Sequence, residues 1–203
     1  MIIHSKRLIF VHIQKTGGNA IRTALGQEVS PPEKHFFACD LMNLYGVAVW
    51  DAYFKFAIVR NPWDRLVSWW SMIAAKRAAF AAGERFGEFQ NFILKRATTF
   101  PEFLENCDEE IADVDGRKWI YRNQIDYLTD ASGQQIVDFV GRFERLQDDF
   151  EWVTRTVLGE PVSLPHVNRS QHQHYSQYYT PALVKMVAHR FERDIEKFQY
   201  TFE

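Results

Sequence analysis

Two short polar segments hold the residue types that can do chemistry. Residues 15–20 read Lys-Thr-Gly-Gly-Asn-Ala, and residues 60–62 read Arg-Asn-Pro. Lys15 brings an ammonium, Thr16 a hydroxyl, and Gly17 and Gly18 let the backbone approach a ligand closely. A helix beginning near Asn19 would add N–H groups that lack partners within the helix and bind anions. Arg60 offers a planar guanidinium matched to a phosphate, and Ser68, on the segment that follows, adds a hydroxyl. The bland alternative is a strand-to-helix turn carrying a surface lysine. A Gly-Gly pair alone would not outweigh it; strand, Lys-Thr and helix in register do.

This is not the usual nucleoside-triphosphate loop. The pattern G-x-x-x-x-G-K-[ST] is absent, and here the lysine precedes the glycines. Mg-nucleotide chemistry also calls for an acid at the end of a second strand. Arg60 stands there instead, and a guanidinium repels a metal. The arrangement suits a ligand with two separate anionic groups, one at each strand end, and no metal. His166, His172 and His174 include an H-x-H pair, but without carboxylate or thiolate neighbours they do not predict a metal site.

A general base is needed if a proton moves. His35 is the only histidine between the two segments, and an imidazole accepts a proton near neutral pH without large tuning. His12 precedes the loop on the first strand, where a structural role is the ordinary expectation. Asp40 and Asp51 are the fallback candidates.

The elements that must position these residues alternate. Strands are expected over residues 7–13, over "YFKFAIVR" and over "IVDFVGRFE" at 136–144, with a further short strand at "HFFACDL". Helices are expected from Asn19 to Leu25, from Leu41 to Ala48, over "WDRLVSWWSMIAAKRAAF", over "LQDDFEWVTRTVLG" and as one last helix capped by Thr180. Residues 80–130 are helix-prone. In the helix after Arg60, Trp63, Leu66, Val67, Trp70 and Ile73 or Ala74 fall on one stripe. The alternation predicts an α/β fold, a single domain over residues 1–203 with a central parallel sheet flanked by helices. Ligands bind such sheets at the carboxyl ends of the strands, where both polar segments lie.

Bulk properties fit. With 46% hydrophobic and 25% charged residues the chain reads as an ordinary globular protein. Its two cysteines, Cys39 and Cys107, predict no disulfide framework and a reducing compartment. No apolar run approaches the ~20 residues of a membrane span, and the first residues are too polar for a secretory signal, so a cytoplasmic location is expected. The net charge of −2 gives no sign of nucleic-acid binding. No acid precedes Glu28, and none lies between Pro161 and Phe191; where the two stretches meet in the fold they make a positive pocket, suited to a small polyanion, in a mildly acidic protein.

"FVHIQKTGGNAI" and "FAIVRNPWDRLVSWW" together resemble the paired signatures of sulfotransferases that use 3′-phosphoadenosine 5′-phosphosulfate (PAPS). The nearer likeness is to the carbohydrate branch, with the heparan sulfate 2-O and 6-O enzymes and short bacterial homologues. The stretch from Leu164 to Phe202 also looks like the end of those bacterial proteins. The resemblance implies that Lys15, Thr16, Gly17, Gly18, Asn19 and Ala20 hold the 5′-phosphosulfate. It implies that Arg60 and Ser68 grip the 3′-phosphate, and that Asn168, Arg169 and Ser170 close over the nucleotide. Asn19 and Ala20 stand where relatives often carry hydroxyl residues. The implied activity is sulfuryl transfer to a hydroxyl, with His35 as base, Lys15 at the leaving oxygen and a saccharide as acceptor. Rival readings are a nucleotide kinase with a degenerate loop and a non-catalytic nucleotide- or glycan-binding protein. The polar segment "YRNQIDYL", 121–128, also resembles a recurrent family stretch, and the sequence assigns it no role. Nor does the sequence specify an oligomeric state.

Overall fold

The computed structural model describes residues 1–27, 33–111, 119–165 and 173–203. They fall into two compact units, Met1–Arg60 with Gln124–Arg169, and Asn61–Asn123 with Ser170–Glu203.

The first unit is built on a four-stranded sheet of order β1-β2-β3-β4, with β1 Ile2–Ile3, β2 Leu8–Val11, β3 Phe54–Val59 and β4 Phe139–Arg142. β2, β3 and β4 are parallel, with Leu8 opposite Phe54 and Phe56 opposite Phe139. β1 is an antiparallel edge that pairs Ile2 with Ile9, and it is absent from the sequence expectation because two residues carry no period. Strands buried on both faces read as continuous apolar runs, and Leu8, Ile9, Phe10 and Val11 are all fully buried. Leu8, Phe10, Phe56 and Ile58 pack on Ile21 and Leu25, in and just after helix α1 (Gly18–Ala24), and on Phe150 and Val153 of helix α8 (Leu146–Leu158). The predicted α/β class with a central, mostly parallel sheet and flanking helices is the observed one.

Two local expectations fail here. "HFFACDL" is no strand: Glu33–His35 form a turn, and helix α2 runs Ala38–Tyr45, burying Ala38 and Leu41 one helical turn apart. The expected helix Leu41–Ala48 is cut at Gly46, whose φ of 86° ends α2 and starts α3, Val47–Ala52.

The second unit is helical: α4 Pro62–Ala74, α5 Arg77–Ala81, α6 Glu88–Arg96, α7 Phe100–Asn106, α9 Pro181–Arg190 and α10 Glu192–Phe198. The predicted stripe on α4 is buried through Trp63, Leu66, Val67, Trp70 and Ile73. Asn61 caps α4 by accepting from the Trp63 and Asp64 N–H groups, and Pro62 occupies the first turn. Thr180 caps α9 as expected, but the last helix is two helices, broken at Phe191. The aromatic residues pair within this unit: Trp69 with Phe89, Trp70 with Phe103, and Phe100 with Tyr178 and Tyr179. Among the described residues no helix is long and apolar enough to cross a membrane.

Candidate functional site

The polypeptide leaves β2 at Val11 and must turn into α1 within a few residues. Thr16 makes this turn: it is fully buried and its hydroxyl donates to the Ile13 carbonyl at 2.9 Å. The hydroxyl assigned by resemblance to the anion is therefore engaged inside the loop. Lys15 sits in the left-handed region at φ 68°, and so does Gly17 at 84°. A side chain on Gly17 would also strike Leu146, whose Cδ2 lies 2.6 Å from the Cβ position. Gly17 heads α1, with the Ala20 N–H donating to its carbonyl at 3.0 Å. Asn19 is exposed and Ala20 partly so, on the first turn.

Arg60 follows the last residue of β3 and is 4% exposed. Its Nη1 donates to the Lys15 carbonyl at 3.1 Å, and its guanidinium carbon stands 3.9 Å from the centre of the Phe143 ring. The two predicted strand ends are thus tied directly together. Burial lowers the Lys15 pKa to about 8, aided by the charges of Arg60 and then Lys34. Cations held this close repel one another, and a bound polyanion would relieve that repulsion.

His12 and His35 meet edge to face, with ring centres 4.8 Å apart. His12 is stacked on Phe10 and nearly fully buried. Burial, then His35, Lys34, the N-terminal amine and Arg22, hold its pKa well below 6.5. His35 is only partly buried, in the turn just before α2. The fallback Asp40 lies on α2, and Asp51 is exposed on α3.

The structure therefore brings together Lys15, Gly17, Gly18, Arg60, His12 and His35, all in the first unit. Ser68 belongs to the second unit, buried on α4. Asn168, Arg169 and Ser170 lie outside the described residues, as do His166 and His172. His174 hydrogen-bonds Ser176 and packs on Tyr175. Among the described residues no group of three or more His, Cys, Asp or Glu is placed to hold a metal ion.

Sequence reasoning overlooked the supports. Gln124 is fully buried: its Oε1 accepts from the Arg60 N–H and its Nε2 donates to the Arg60 carbonyl, both at 2.8 Å. Tyr127 donates its hydroxyl to Gln14 and packs edge-on against Phe37. Their signal was in "YRNQIDYL", polar residues among apolar ones, which is the pattern of a buried hydrogen-bonded turn.

A family model described as the sulfotransferase family matches residues 1–201. No individual curated protein matches the chain. With that match spanning almost the whole sequence, and an α/β fold bearing a cationic loop at the strand ends, the chain belongs to the sulfotransferase family and is an enzyme of sulfuryl transfer.

Proposed function

We propose that the enzyme takes its sulfuryl group from PAPS and delivers it to a hydroxyl of a saccharide. The observation that carries this reading is the junction of Lys15 and Arg60, two cationic residues at neighbouring strand ends, the Arg60 guanidinium donating to the Lys15 main-chain carbonyl. PAPS has anionic groups at both its 5′ and 3′ positions, and the pair suits one at each. Lys15 and the loop through Ala20 hold the phosphosulfate; Arg60, with Ser68, holds the 3′-phosphate. The resemblance assigns Asn168, Arg169 and Ser170, which lie outside the described residues, to the nucleotide.

The acceptor oxygen attacks sulfur, the bond from sulfur to the bridging phosphate oxygen breaks, and adenosine 3′,5′-bisphosphate leaves. His35 takes the acceptor proton. Lys15 stabilises the charge that grows on the leaving oxygen. Arg60 and Ser68 act at a distance, by positioning the donor. His12 suits the base less well, since its burial and depressed pKa leave it little affinity for a proton.

Binding to the native state raises the melting temperature. Adenosine 3′,5′-bisphosphate should raise it clearly, and ADP with Mg²⁺ much less. Equal shifts would end the two-anion reading. Transfer of label from ³⁵S-PAPS to a panel of saccharides and simple alcohols then identifies the acceptor, and label appearing only on non-sugar alcohols would overturn the saccharide assignment.

A further inference from the structure

Arg60 stands just beyond β3, one residue past the Val59–Arg142 pair that closes the β3–β4 ladder. Its peptide N–H and C=O groups lie past the last paired residues of both neighbouring strands, β2 and β4, and buried peptide groups require partners. The side-chain amide of Gln124 supplies both, one acceptor and one donor in one plane, as the N–H and C=O of one residue on an antiparallel neighbour would. We propose that Gln124 is a positioning residue that aims the Arg60 guanidinium at the donor's 3′-phosphate. The inference rests on the reading of Arg60 given above.

The surroundings fit a brace. Gln124 begins a short 3₁₀ turn, Ile125–Tyr127, closed by the Tyr127 N–H donating to the Gln124 carbonyl at 3.1 Å. Thr129 reinforces the turn by donating its hydroxyl to the Ile125 carbonyl. From the same turn, Tyr127 reaches Gln14, beside Lys15, and Phe37, close after His35. One turn therefore touches the segments bearing Arg60, Lys15 and His35. With its backbone fixed by Gln124, Arg60 has its guanidinium fixed by the Lys15 carbonyl and the Phe143 ring. Such supporting shells set the precision of a site. An amide of this length meets both needs: an ionised carboxylate accepts but cannot donate, and a thioether accepts only weakly and cannot donate.

The test is titration calorimetry of the full chain with adenosine 3′,5′-bisphosphate and with 5′-AMP, alongside thermal melts. Gln124→Met should weaken the bisphosphate by about tenfold, the scale of losing an outer supporting bond, and 5′-AMP by less than about twofold. Gln124→Glu keeps the acceptor and loses the donor, so it should fall between Met and wild type. In an Arg60→Ala background, Gln124→Met should change bisphosphate affinity by less than about twofold, because Gln124 acts through Arg60. Unchanged affinity in Gln124→Met overturns the proposal. So do parallel losses of both ligands, an equal loss with and without Arg60, or failure of both single variants to fold; each marks Gln124 as merely structural. If Arg60→Ala itself leaves the preference for the bisphosphate over 5′-AMP intact, the phosphate reading of Arg60 fails, and this proposal with it.

Discussion

The imidazole of His12 fills the space that a side chain on Gly18 would need: a Cβ there would stand 2.0 Å from His12 Nε2. Gly18 is thus required by packing, whereas Gly17 is required by its backbone angle as well. Gly18→Ala should force the ring off Phe10 and cost about 1–3 kcal/mol, as overpacking of a tight interior does. Urea denaturation measures it, and wild-type stability would show that the ring swings aside freely.

The paired imidazoles invite a direct comparison. His35→Ala should lower kcat by about 10²–10⁴-fold and leave affinity for adenosine 3′,5′-bisphosphate nearly unchanged. His35→Gln should not rescue the rate, since an amide hydrogen-bonds but takes no proton. Loss of turnover in a folded His12→Ala protein, with His35→Ala active, would place the base on the first strand. If neither change matters, Asp40 is the next candidate.

Lys15 gives the site a pH dependence of definite sign. Its pKa is lowered from 10.5 to about 8, chiefly by burial. Below pH 8 both folded and unfolded chains carry the proton, and the folded state bears the cost of burying it. Between pH 8 and 10.5 the unfolded chain binds more protons, so the ligand-free protein should gain stability as pH rises through that window. Affinity for adenosine 3′,5′-bisphosphate should fall over the same window as the ammonium is lost. Lys15→Met should abolish the first trend, read by denaturant melts across pH. A stability profile that keeps its slope in the variant would assign it to other groups.

His12 sets the acid side. Its folded pKa lies well below 6.5, first through burial and then through His35 and the nearby cations. As pH falls below 6.5 the unfolded chain takes a proton that the folded chain refuses, so stability should decline. His12→Gln should flatten that decline between pH 6.5 and 5, and an unchanged slope would show that His12 is not its source.

The long strands were legible because burial on both faces makes a continuous apolar run, and the α4 stripe because burial on one face imposes a period. Lys15 and Arg60 were legible because cations at strand ends stand out against apolar runs. The break at Gly46 was not, since the apolar pattern continues across it and only the positive φ ends the helix. "HFFACDL" misled because Phe36 and Phe37 look like strand residues, while the i, i+3 spacing of Ala38 and Leu41 decides for helix. Gln124 was visible only as polarity out of place: its partners are backbone atoms 64 residues away, and no local pattern encodes them.

That separation has a consequence for how the enzyme comes into being. The bond from Arg60 to Lys15 closes a loop of 45 residues, and the bond from Arg60 to Gln124 one of 64. Such closures lose chain entropy before they gain contacts, and nonlocal parallel pairings form slowly. The helices, by contrast, form from near neighbours. Refolding should therefore recover far-ultraviolet helical signal in an earlier phase than nucleotide affinity. On the ribosome, Lys15 is made long before the partners that fix Arg60: the junction of the two must wait for Gln124 and then β4 to emerge.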